Sequence, residues 1–172
     1  MLSRPASNEY DSFFSGYVAL VIESNVIEVL ENQPTELEKI AALVPAQREQ
    51  FRYAANKWSI REVFGHIIDC ERVFGYRAFC ISRGDMASFP GFDESVYVGN
   101  SRYNDTRLAD LVRSFETVRL GNLTFLKSLV DSDWKRKGTA NNCPISVRGL
   151  AFIMAGHPRH HFKILRERYG VA

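Results

Sequence analysis

Four long stretches of this chain carry apolar residues at helical spacing, and none shows sustained strand alternation, so its core has to be built by packing helix on helix. The first stretch runs from about Tyr10 to Leu30, with Phe13, Phe14, Tyr17, Leu20, Val21, Ile27 and Leu30 on its apolar side. A short helix over Thr35 to Leu43 is expected after Pro34, stopping at Pro45. The second long helix has a clear start, because Ser59-Ile60-Arg61-Glu62 has the form of a capping box. Its stripe is Ile60, Val63, Ile67, Cys70, Phe74 and Ile81, and Gly84 ends it. The third begins near Asn104-Asp105-Thr106 and carries Leu108, Leu111, Val112, Phe115, Val118, Leu126 and Leu129. The fourth begins at Pro144 or Ser146 and runs to Tyr169-Gly170. Four amphipathic helices of this length predict an all-α four-helix bundle. No repeat, low-complexity tract or flexible linker interrupts them, so residues 1–172 are expected to form one domain.

The connection from Gly84 to Tyr103 is long for a compact domain and calls for a reason. A crossover between helices that run parallel is one. A lid is the other: Phe89-Pro90-Gly91-Phe92, with Tyr97 and Tyr103, could fold over a site, which makes Phe89, Phe92 and Tyr97 candidate substrate contacts. Charge excludes some partners. The net charge of +2 is interspersed, and the one cationic run, Lys135-Arg136-Lys137, is too short for a nucleic-acid stripe. No apolar run approaches the ~20 residues of a membrane helix. Residues Met1 to Asp11 lack the form of a secretory signal. Cys70, Cys80 and Cys143 are odd in number and form no Cys-x-x-Cys pair, which reads as reduced thiols in a cytoplasmic protein.

All four histidines fall in two places, His66 in the second helix and His157, His160 and His161 in the fourth. Residues four apart share a helix face, so His157 and His161 can reach one point, and a third imidazole from a neighbouring helix completes a set that suits zinc, nickel or iron(II). Spacing alone would admit His160. The apolar pattern prefers His161, which lies in line with Leu150, Met154 and Leu165, whereas His160 falls with Gly149, Lys163 and Glu167. A buried histidine is commonly just a hydrogen-bonded core residue. Three in one seam are harder to explain that way, since each unpaired polar group costs about 1–3 kcal/mol and one ion would satisfy all three. Glu62 and Asp69 flank His66 along the helix and could orient its ring or add a ligand. The capping box better accounts for Glu62, and a salt bridge with Arg72 for Asp69. Glu71 is expected to pair with Arg72 and Arg77, and Trp58 and Trp134 to serve as core or boundary residues.

The segments Lys57-Trp58-Ser59-Ile60-Arg61-Glu62-Val63, Gly65-His66-Ile67-Ile68-Asp69 and Glu71-Arg72 resemble the second helix of the DinB/YfiT-like family of metal-dependent enzymes. Pro90-Gly91-Phe92-Asp93-Glu94 resembles its long loop, and Ala155-Gly156-His157 through His160-His161 to Ile164-Leu165-Arg166-Glu167-Arg168-Tyr169 its last helix. The resemblance implies an up-down-down-up bundle, with the long crossover between helices two and three, and a metal held by His66, His157 and His161. It also implies a homodimer and, in characterised members, transfer reactions or isomerisation using a low-molecular-weight thiol. Pro158 departs from the family pattern. Proline removes the hydrogen bond to the Met154 carbonyl and clashes with that turn, so a kink or bulge near Met154 to His157 is expected, with His160 as substitute ligand if the helix rotates.

The sequence therefore points to a metal-dependent enzyme with a three-histidine site, a thiol-dependent S-transferase or a hydrolase acting on a small molecule. No Ser-His-Asp order, carboxylate pair or glycine-rich phosphate loop offers other chemistry. The alternative is a non-catalytic metal- or ligand-binding helical module in stress response.

Overall fold

The computed structural model describes residues 2–171. In chain order they form α1 (Ser15–Ala19), α2 (Val26–Ala42), α3 (Ile60–Ser82), β1 (Ser88–Phe89), α4 (Glu94–Gly99), α5 (Leu108–Leu126), α6 (Asp131–Trp134), β2 (Lys137–Ala140), β3 (Cys143–Ser146) and α7 (Val147–Tyr169). The bundle consists of α2, α5, α3 and α7, neighbours in that order around a ring that α7 closes against α2.

Its interior is divided along the bundle axis into two apolar clusters. One gathers Val29 and Leu30 of α2, Phe74 and Ile81 of α3, Leu123 and Leu126 of α5 and Leu150 of α7. The other gathers Leu37 and Ile40, Ile60 and Phe64, Leu108 and Phe115, and Phe162 and Leu165. Helices α2 and α7 thus run from the first cluster to the second while α3 and α5 run the opposite way, which is the expected up-down-down-up course. The parallel pair α3 and α5 needs the crossover, and residues 84–107 supply it. No helix among the described residues is long and apolar enough to cross a membrane.

The first helix departs from the sequence expectation. The stretch from Tyr10 to Leu30 is not continuous: α1 ends at Ala19, and α2 starts afresh at Val26, where the Asn25 side chain accepts from Ile27 N at 3.2 Å. Asparagine caps in this way because its carbonyl competes for orphan amides. Pro34, expected to separate two helices, instead lies inside α2. A proline there leaves the carbonyl four residues back without its donor. That carbonyl, Leu30 O, accepts from Arg119 Nη1 at 3.0 Å, so the helix continues.

A small three-stranded sheet, ordered β1-β2-β3, was also unexpected. Its hairpin turns on Asn141 and Asn142, with φ of 52° and 61°. Positive φ at both central residues is what a tight two-residue hairpin requires, and asparagine tolerates it. Residues before α2 are strapped across α7: Arg159 Nη1 donates to Leu20 O at 2.9 Å, Arg148 pairs with Glu9, and the Tyr17 carbonyl occupies the space that a side chain at Gly156 would need.

Candidate metal centre

Between the two apolar clusters runs a layer of buried polar residues: Gln33 from α2, His66 and Glu71 from α3, Arg119 from α5, and His157 and His161 from α7. Polar groups buried in a bundle need partners, and the layer meets that need in two ways.

On one side, local sequence aims three imidazoles at one point. Ser59 and Glu62 cap the start of α3 reciprocally, Ser59 Oγ accepting from Glu62 N at 3.1 Å and Glu62 Oε2 from Ser59 N at 2.7 Å. His66 follows on the inward face, and the Tyr103 ring packs against its neighbour Gly65 where any side chain would collide. Helix α7 is capped by Ser146, whose Oγ accepts from Gly149 N at 2.9 Å, and carries His157 and His161 on its inner face. The Nε2 atoms of His66 and His157 lie 3.0 Å apart, and those of His157 and His161 3.1 Å. Ligands held at 2.0–2.1 Å in tetrahedral geometry stand roughly 3.3 Å from one another, so these two separations are close to that spacing, and ligand atoms of all three residues lie within 4.8 Å of one another.

Electrostatics keeps the group proton-poor. Burial, with a smaller contribution from His160, holds the His66 imidazole down at about 4. Burial and the neighbouring histidines hold His157 and His161 well below the ordinary 6.5. Neutral imidazole is the form that ligates, so the nitrogens are in the ligating state at neutral pH. His160 sits outside the group, its ring 5.1 Å from that of Tyr17.

On the other side, Arg119, wholly buried, forms a bidentate pair with Glu71, Nε to Oε1 and Nη2 to Oε2, both at 2.8 Å. Asn122 Nδ2 adds a bond to Glu71 Oε1 at 2.7 Å, and Gln33 Oε1 accepts from Arg119 Nη1 at 2.7 Å. The same guanidinium reaches two carbonyls that prolines leave open: Leu30 O, beneath Pro34, and Met154 O, beneath Pro158, at 3.2 Å from Nη2. Pro158 therefore sits in an unbroken α7 where a bulge was expected, and His157 stays with His66 and His161. This arrangement corrects the pairing read from sequence. Glu71 binds neither Arg72 nor Arg77, since one arginine on α5 takes both its oxygens. The short-range signals Arg72 and Arg77 outweighed one that spans 48 residues.

The other expected residues divide. Glu62 caps α3 as read, and Asp69 Oδ1 accepts from Arg72 and, at 2.6 Å, from the Tyr103 hydroxyl. Trp58 packs beside the site, its ring 4.7 Å from His66, and Trp134 is buried. In the long connection Phe89 is buried in β1, Phe92 lines a cavity of about 520 Å³, and Tyr97 is half exposed with its ring 5.1 Å from Phe92. Tyr103 folds onto α3 and belongs to the scaffold. Phe74, unremarked in sequence except as core, separates this cavity from the histidines, its ring 5.9 Å from His157.

Fold and site together define a four-helix bundle with a buried histidine triad suited to a divalent ion. The chain belongs to the DinB superfamily, whose family model matches residues 30–165. Among solved structures it is similar to YfiT from Bacillus subtilis, described as a probable metal-dependent hydrolase with an unusual four-helix bundle topology. The TM-score is 0.73 at 17% identity, over 96% of this chain and 93% of that one. No curated protein matches the chain.

Proposed function

We propose that the chain is a metal-dependent enzyme in which the Nε2 atoms of His66, His157 and His161 hold one divalent ion, zinc or nickel foremost and iron(II) as a further candidate. The single observation that carries this is the convergence of those nitrogens at 3.0 and 3.1 Å from two helices. When bound, such an ion acidifies a coordinated water or thiol and polarises a substrate oxygen. The protein's own part is to keep three imidazoles neutral, to fix their directions through capped helices, and to leave coordination positions free. Asp69 is taken up by Tyr103 and Arg72, and Glu62 by the helix cap, so neither closes the set. Three protein ligands with an open position are the pattern of catalytic rather than structural zinc.

Hydrolysis of a small molecule is the first reaction to test, in keeping with the description of YfiT. Transfer of a low-molecular-weight thiol, in a cytoplasmic homodimer, is the second. Zinc, nickel and iron(II) titrations of tag-free protein are expected to give one ion per chain, with binding reduced at least 100-fold in both His66→Ala and His157→Ala. Undiminished binding in either variant would sink the shared site. With binding established, activated esters, and an electrophilic dye with glutathione or bacillithiol, distinguish the reactions. Loaded protein inert towards both leaves the non-catalytic module as the reading.

A further inference from the structure

Arg77 lies three turns beyond His66 on α3 and is 6% exposed, yet no carboxylate among the described residues forms an ion pair with it. A buried cation is ordinarily paired, because removing it from water without a counter-charge is costly. Arg119, in the same bundle, shows what pairing looks like. Arg77 has five N–H donors. Its Nη2 donates to Pro90 O at 2.6 Å, and its guanidinium carbon stands 5.9 Å from the Phe92 ring centre. No fully buried side-chain nitrogen among the described residues lacks a partner, so the remaining donors keep some accessible surface. Arg77 borders the cavity of about 520 Å³, walled by Phe13, Phe14, Phe74 and Phe92, and also a second one of about 320 Å³ with Tyr76, Phe89 and Tyr97. Burial lowers the Arg77 pKa, as expected for a cation without a counter-charge.

We propose that the larger cavity binds a small organic carboxylate, its charged end on Arg77 and its apolar body between the phenylalanine rings. Three carboxylates also border the cavity, all more exposed than Arg77. Asp11 accepts from Phe13 N at 2.8 Å and from Cys143 Sγ at 3.0 Å, Asp93 accepts from Ser95 N at 2.8 Å, so both are engaged by protein donors, and Glu94 stands at the rim. Such a rim opposes multiply charged anions and favours a single negative charge, hence a carboxylate rather than a phosphate. Because the Phe74 ring lines the cavity and stands 5.9 Å from that of His157, a molecule bound here is one side chain away from the histidines. Only its being the substrate rests on the metal-dependent reading.

The test uses metal-free protein and two probes of one shape, 3-phenylpropionate and its neutral counterpart 3-phenylpropanamide, titrated by calorimetry and by amide chemical shifts. The carboxylate is expected to bind at least tenfold tighter, with shifts at Arg77 and Phe92. Arg77→Met should bring that ratio to about one, and Arg77→Lys should keep part of it. Equal affinities in the native chain, no binding of either probe at millimolar concentration, or a ratio unchanged in Arg77→Met would each overturn the proposal. Should Arg77→Met not fold, the native ratio and its reduction in Arg77→Lys decide. Zinc titration of the Arg77 variants is expected to match the native chain, which separates failure here from failure of the metal site.

Discussion

The two halves of the polar layer solve the same problem in opposite ways. Around Arg119 donors and acceptors match: a guanidinium, a carboxylate, two amide side chains and two carbonyls freed by prolines close on one another. Around His157 they do not, for three neutral imidazoles bring their Nε2 atoms together with only the Cys70 thiol, 3.7 Å from His66 Nε2, close beside them. The matched half is what a bundle needs to bury charge. The unmatched half is incomplete as protein and makes sense as the receiving side of a cation.

The strongest way to break this contrast is to remove Arg119. Arg119→Met leaves Glu71 buried without its partner, and loss of one member of a buried pair costs about 3–5 kcal/mol. His157→Leu in the metal-free protein is expected to cost much less, since it discards no partnered charge. Chemical denaturation of both variants checks the difference, and equal losses would dissolve it. Next comes ligand-linked stability. Zinc at 100 times its dissociation constant should add about 2.7 kcal/mol to the native chain and nothing to His157→Leu, read as a thermal shift.

A smaller effect sharpens the role of the prolines. Pro158→Ala restores a backbone donor to Met154 O, which Arg119 already serves, so it should matter little alone but recover about 1 kcal/mol in the Arg119→Met background. A double-mutant cycle measures that coupling.

A further expected effect is on pH. The folded His66 pKa, about 4, lies below the ordinary 6.5. Between these values the unfolded chain binds a proton that the folded one does not. The stability of the metal-free protein is therefore complete above pH 6.5 and declines as pH falls towards 4. His66→Leu removes that proton and should move the acid midpoint to lower pH. A midpoint that does not move would mean the imidazole is solvated in the folded state.

Much of this was legible in sequence, and the failures have a common cause. The α3 capping box, the helical stripes and the choice of His161 over His160 rest on periodicity and local hydrogen bonding, which act within a few residues. Pro34 does not break its helix and Pro158 brings no bulge, and neither could be foreseen because the group that compensates them, Arg119, lies 85 and 39 positions away along the chain. Glu71 was misassigned for the same reason. The break before Asn25 could have been read from its capping side chain, and the hairpin from Asn141-Asn142. Arg77 gave no signal of being unpaired, since that is a property of its surroundings in three dimensions.

The strap that lies across α7 gives the molecule a division of labour. Asp11, Phe13 and Phe14 form one wall of the Arg77 cavity, yet they precede the span that the family model matches, while the histidines and Arg119 fall inside it. Replacing the exposed Phe13, with Val18, Val21 and the Tyr17 carbonyl kept against the bundle, should change which molecules the cavity admits. If the cavity and the histidines act as proposed, selectivity and chemistry are then tuned separately, by editing an appendage in one case and the bundle of helices in the other.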